Sequence, residues 1–268
     1  MPSMYKQHFD GTLDKSIYSG QIPQLDFLNY VSTTAQPGWN IGDGVELADG
    51  SVYRHALSNG AGTIEPDQGC HFTDTGLVAY TSFGIAAAVG ENEVTVPAAT
   101  HVLQAKDQLA GGYAIIFNGS ADDDCTYGIV GNDATAADVA FKIRLDRGVN
   151  PAVTTSSAIE VYINPYRALS QVSSSVLPYC GCAVRLVSAA ANYFWVKTKG
   201  PVFCSPQTGV GADNGGIAVN WRHDGSLQKG ETAHATTTAT NDTNQQAGYV
   251  LAGSQSGNGP LVVLTGSI

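Results

Sequence analysis

Two cysteines one residue apart, Cys180-Gly181-Cys182, and the pair Cys70-His71 are the residue types that could hold a soft metal. Structural zinc asks for two knuckles whose turns aim both sulfurs at one ion. A C-x-C pair lacks that turn, and in a strand its sulfurs fall on the same face. We read Cys70, Cys180 and Cys182 as small buried or half-buried thiols, with no metal. Asp122-Asp123-Asp124, close to Asn118 and Ser120, is the densest acidic run and the candidate for a hard cation. Calcium loops converge several oxygens at set spacings. The D-x-[DN]-x-[DN]-G pattern with a distal Glu is absent, so a solvated turn is expected.

For nucleophilic or acid–base chemistry there are six histidines and many Ser and Asp, as in any chain of this size. There is no G-x-S-x-G elbow, H-E-x-x-H pair or Walker loop. Gly209–Gly216 has glycines spaced like a phosphate loop, but no Lys-Ser/Thr follows, and such a loop between strands is a turn. His55, beside Arg54, is expected to be an exposed strand residue. The expectation is a protein that is not an enzyme, with no catalytic residue and no cofactor.

The elements around these residues are short strands. Charged residues make up 13% of the 268, about half the usual quarter. Gly, Ala, Ser, Thr and Asn fill the difference, a composition of many strands joined by tight turns. A net charge of −10 excludes a nucleic-acid partner, since phosphate contacts need clustered Lys and Arg. No apolar run reaches the length of a membrane span, and the first residues lack the apolar core of a signal peptide. Five cysteines, an odd number, point to synthesis in a reducing compartment, the cytoplasm.

The clearest strand stretch is Asn192–Cys204 (N-Y-F-W-V-K-T-K-G-P-V-F-C). Phe194, Val196 and Thr198 share one face; Tyr193, Trp195, Lys197 and Lys199 share the other. It reads as a central strand broken by Gly200-Pro201, with a second short strand from Val202. Gly42–Ser58 reads as a hairpin turning at Asp49-Gly50, with both turn residues at positive φ. Ala140–Asp146 alternates Phe141, Ile143 and Leu145 inward with Lys142, Arg144 and Asp146 outward. Tyr113–Phe117 (Y-A-I-I-F) is read as a buried strand; Ile159–Ile163, Ile217–Trp221, Tyr249–Ala252 and Leu261–Thr265 are further strands. With no sustained helical period, the fold class is mainly β: antiparallel sandwich or barrel domains with an extended N-terminal arm. The division drawn from the sequence is an arm over 1–44, a small N-terminal β region over 45–110 and a C-terminal β domain over 111–268.

From residue 94 onward the landmarks fall in a recognisable order. They are V-T-V-P-A-A-T, A-G-G-Y-A-I-I-F-N-G, T-Y-G-I-V-G-N, F-K-I-R-L-D and V-Y-I-N-P-Y. The stretch C-G-C-A-V-R-L-V-S-A-A-A-N-Y-F-W-V-K-T-K-G-P-V-F and a final G-Y-V-L-A-G follow. This series resembles the head decoration (cement) and related virion structural proteins of tailed bacteriophages. There an N-P-Y turn precedes a Y-x-W-V-Q-T-x-G strand and the chain ends in a V-G-x-A-L strand. Here Lys197 and Lys199 stand where neutral residues are usual, and the resemblance covers roughly two thirds of the chain, leaving the N-terminal third unaligned.

The resemblance implies a mainly β oligomer bound outside a capsid lattice, with the major capsid protein and copies of itself as partners, and homotrimeric. Its location would be the capsid surface of the virion. The arm residues Ile17, Tyr18, Leu25, Phe27 and Leu28 are the candidate contacts with a partner. An alternative is a host-recognition or carbohydrate-binding β module of a phage tail or fibre, stacking ligands on Trp39, Tyr53 and Trp221. A third reading, a hydrolase using Asp122–Asp124, requires turnover of a polysaccharide.

Overall fold

Period-two alternation, the strongest local pattern in this sequence, becomes strands. The computed structural model describes residues 5–7, 13–14, 28–72, 76–119, 125–171, 178–206, 210, 217–230, 242–253 and 259–266. Among the described residues there is no α-helix, and the architecture is mainly β and sandwich-like. The first strands are β1 (Tyr5–Gln7), β2 (Leu13–Asp14), β3 (Gly44–Glu46), β4 (Val52–Leu57), β5 (Gly69–Phe72) and β6 (Gly76–Ser82). Then come β7 (Glu93–Val96), β8 (Tyr113–Phe117), β9 (Cys125–Asn132), β10 (Phe141–Leu145), β11 (Ala158–Tyr162) and β12 (Leu169–Ser170). The last are β13 (Tyr179–Ala183), β14 (Tyr193–Phe203), β15 (Ala218–Arg222), β16 (Leu227–Lys229), β17 (Asp242–Ala252) and β18 (Leu261–Thr265).

The strands belong to two units. Unit 1 comprises Met1–Thr73 and Tyr166–Ile268; unit 2 is Asp74–Pro165. Unit 2 is therefore an insertion in the chain of unit 1. The chain leaves and re-enters unit 1 on hydrogen-bonded neighbours, β5 and β12, with Leu169 opposite Phe72. The sequence division differs: its step at 110/111 falls inside unit 2, and residues 45–72 share a unit with the C-terminal strands. The physical reason is long-range pairing. β4 and β5 find their partners in β14 and β13, far along the chain, and local composition carries no trace of that.

In unit 1 the sheet runs β16-β15-β17-β18-β14-β4-β3-β1-β2, with β13 joined to β14 and β5, and β12 to β5. β14 is central, as its alternation suggests. Phe194, Trp195 and Val196 are all buried, so both of its faces are covered at that end. The strand does not break at Gly200-Pro201. β4 pairs with it as far as Lys199, and β18 pairs from Lys199 to Phe203. Gly200, at φ 100°, sits so close to Ser51 that a Cβ would stand 2.5 Å from its Oγ. β18 and β4 flank β14 on opposite edges and overlap at Lys199. Beyond Lys199 no β4 partner remains, so Pro201 lies where one side of the strand is an edge, which is where proline is tolerated. The β3–β4 hairpin forms as expected, but of the two turn residues only Gly50 has positive φ.

In unit 2 the sheet runs β6-β11-β8-β9-β10-β7. Its inward side is mostly aliphatic: Val78, Val94, Ala114, Ile116, Ile143 and Ile159 are buried in one cluster with Phe83, Tyr127 and Phe141. β10 has the expected alternation, with Phe141, Ile143 and Leu145 buried and Lys142 exposed. β8 does not match its reading. Ala114 and Ile116 are buried, while Tyr113, Ile115 and Phe117 face the other side of the sheet.

Candidate functional site

The thiols do not converge. β13 carries a register shift between Tyr179 and Gly181, a β-bulge, and Gly181 has φ 141°. A Cβ there would lie 2.2 Å from the Lys197 carbonyl oxygen, so only glycine fits. The extra residue reverses the alternation. Cys180 therefore packs with Cys70, Ala56 and Phe194, while Cys182 packs with Cys204, Tyr179 and Trp221. The expected common face for the C-x-C sulfurs is thus overturned by one bulge. The Cys180 thiol donates to the Cys70 carbonyl at 3.3 Å, and the Cys182 and Cys204 sulfurs are 3.6 Å apart. Burial pushes the Cys70 and Cys180 thiols well above the usual thiol range; contact with the Cys204 thiol, then burial, does so for Cys182. Thiolate is the form that attacks an electrophile, and these shifts disfavour it. Among the described residues no group of three or more His, Cys, Asp or Glu is arranged to hold a metal. Asp122, Asp123 and Asp124 lie outside the described residues.

His55 is fully buried, not exposed. Its ring stacks on Tyr193 with centroids 5.7 Å apart, and its Nδ1 is 3.1 Å from the Asn40 carbonyl oxygen. Burial lowers its pKa, against smaller opposing effects of the Asn40 carbonyl and Asp43. The aromatic trio proposed as a stacking platform does not form one. Trp221 is buried and stacked on Tyr179, with centroids 5.2 Å apart. Trp39 packs edge-on against Trp195 at 4.8 Å, and Tyr53 is half-buried beneath the Lys197 ammonium. Large rings are cheapest to hide where a central strand has two covered faces, and sequence alone does not say which strand that is.

Of the arm residues, Ile17, Tyr18, Leu25 and Phe27 lie outside the described residues. Leu28 is buried against Val45 and Trp195, within its own unit. The segment after it is equally tied down. Ser32 and Tyr193 exchange backbone hydrogen bonds, and the Gln36 side chain accepts from the Trp195 indole at 2.8 Å. β1 pairs with β3 of the same chain. Residues 28–44 are thus part of unit 1's packing.

Among the described residues, each unit presents a group of large apolar side chains on the solvent side of its sheet. In unit 1, Phe203 lies opposite Leu261, and Val263 lies between Pro201 and Tyr249. Phe203, Leu261, Tyr249 and Leu251 are exposed, while Val250, Val262 and Leu264 on the other side are buried. In unit 2, Tyr113 lies opposite Tyr162 and Ile115 opposite Glu160. Tyr80 meets Phe117 with ring centroids 5.1 Å apart. Neither patch has a motif. The available signal is parity: L-V-V-L and Y-A-I-I-F are apolar at odd and even positions alike, which one buried face does not require.

Comparison with protein-family models, with curated proteins and with solved structures finds no match. The fold itself defines the class: among the described residues, a mainly β protein of two antiparallel units, the second inserted in the chain of the first, each with exposed apolar side chains on its solvent side.

Proposed function

We propose that the chain is a non-enzymatic virion structural protein, a decoration or cement protein that binds the outside of a phage head and stabilises the shell. The observation that carries this reading is the exposed row Phe203, Leu261, Leu251 and Tyr249 on β14, β18 and β17. Rows of large apolar side chains on one sheet face are costly to leave wet and mark a surface meant to be covered. The motif series from Val94 to Ala252 supports the same reading by resemblance. The partners are the major capsid protein and further copies of this chain, arranged as a homotrimer. The site of action is the capsid surface, after synthesis in the host cytoplasm.

The mechanism is linkage. A protein that binds the assembled lattice and not its dissociated subunits stabilises assembly in proportion to the logarithm of its concentration over its Kd. The buried thiols and the aliphatic core of unit 2 supply shape only. Sedimentation of the full chain with shells freed of it tests the reading. Wild-type protein should pellet with the shells, and Phe203→Asp should stay in the supernatant while retaining its β circular-dichroism spectrum. A Phe203→Asp protein that pellets as wild type removes the row from the mechanism.

A further inference from the structure

The solvent side of the unit 2 sheet is divided in two. On β7 and β10 it is ionic: Lys142 pairs with Glu93 at 2.5 Å, and Arg144 pairs with Asp107 and Asp133. On β6, β11 and β8 it is aromatic. Tyr80 is 61% exposed and Tyr113 36%, with Phe117 and Tyr162 half-buried on the same side. Tyr80 and Phe117 open towards each other at 52°, and the strand between them contributes the small, buried Ala158. Among the described residues, the carboxylate amid these rings is Glu160, which accepts a 2.5 Å hydrogen bond from the Tyr162 hydroxyl.

We propose that this aromatic face of β6, β11 and β8 binds a neutral oligosaccharide chain. Sugars carry apolar C–H faces and polar hydroxyl rims. Ring faces flanking a fixed carboxylate answer both, the rings by stacking and Glu160 by accepting from hydroxyls. A protein partner fits less well. The patch has about six side chains, whereas a stable interface takes about 20–30 residues a side. It would also leave Glu160 desolvated at the centre, where interface cores are depleted of carboxylates. Charge excludes anionic sugars. Unit 2 has eleven acidic side chains against four basic ones, so it holds −7 of the chain's −10. This inference stands on unit 2 alone and goes beyond the decoration reading; sedimentation with shells reads the unit 1 row and leaves it untouched.

The test is calorimetric titration of the full chain with maltohexaose, cellohexaose, chitohexaose and mannohexaose, with oligogalacturonate as the anionic probe. At least one neutral probe is expected to bind. Tyr80→Ala and Glu160→Gln should each weaken that binding about tenfold, and Lys142→Ala, on the ionic half, should leave it unchanged. Thermal unfolding of each variant confirms that it is folded. Each of the following results overturns the proposal. One is no heat from any neutral probe at about 10 mM. Another is wild-type affinity in Tyr80→Ala, or equal binding of oligogalacturonate. The last is self-association that Tyr80→Ala abolishes, which would make the face a contact between copies of this chain.

Discussion

The largest rings of unit 1 are interior, with Phe203 and Tyr249 in its exposed row, whereas unit 2 turns four of its seven Phe and Tyr rings outward. In unit 1, Trp195, Trp221, Tyr179, Tyr166 and Phe194 are interior, with two imidazoles, His55 and His71, buried among them. In unit 2 the interior is mostly aliphatic, and four of the seven Phe and Tyr residues, Tyr80, Tyr113, Phe117 and Tyr162, face outward. The difference follows from how many faces each strand must cover. β13 and the Phe194–Val196 part of β14 are buried on both sides and accept rings and thiols together. The strands of unit 2 bury one side, which branched aliphatic residues fill well. Rings on the other side then add nothing to that core, so they point to a role in contact.

Deleting a ring from each unit is the sharpest way to break this comparison. Trp195→Ala removes a side chain 1% exposed, together with its contacts to Trp39 and Gln36. We expect it to cost about 3–5 kcal/mol in urea unfolding followed by circular dichroism. Gly181→Ala comes next. The strain of a positive φ alone is worth about 1–3 kcal/mol, and the Cβ also meets the Lys197 carbonyl. A stable Gly181→Ala protein would mean that the bulge does not hold the two thiols on opposite faces.

The pH dependence of unit 1 has a defined sign. Burial holds the His55 pKa below its ordinary 6.5, so as pH falls through 6.5 the unfolded chain takes up a proton that the folded one refuses. Stability contributed by neutral His55 is therefore full above 6.5 and is lost as pH falls towards the lowered value. The slope is at most about 1.4 kcal/mol per pH unit. Denaturant midpoints between pH 7 and 5 should fall less steeply in His55→Gln. Tyr80→Ala, at the other extreme of exposure, should change stability by no more than about 0.5 kcal/mol. Lys142→Ala should leave the unfolding midpoint unmoved, because an exposed ion pair is screened by water and salt.

How much of this was legible in the sequence depended on range. Patterns that complete themselves within one strand or one turn were readable: the Phe141–Leu145 alternation, the β3–β4 hairpin, the central place of Tyr193–Phe203. Features set by partners far along the chain were not. His55 reads as an exposed strand residue until Tyr193 and Trp195 arrive beside it on β14. The insertion of unit 2 is invisible because its boundary is the pairing of β5 with β12, and neither strand carries a linker composition. A bulge at Gly181 overturned a period-two argument that was sound for a regular strand. The apolar patches were half visible. Their residues were seen as apolar, and their being on the wet side was not.

The most direct measurement is an electron-microscopic reconstruction of the source particle with and without this protein. Decoration predicts density on the outside of the shell, at symmetry-related sites, that vanishes from particles lacking the chain and contacts the lattice through Phe203 and Leu261. Identical shells in the two reconstructions, with the protein in solution as a monomer that turns over a substrate, would contradict it.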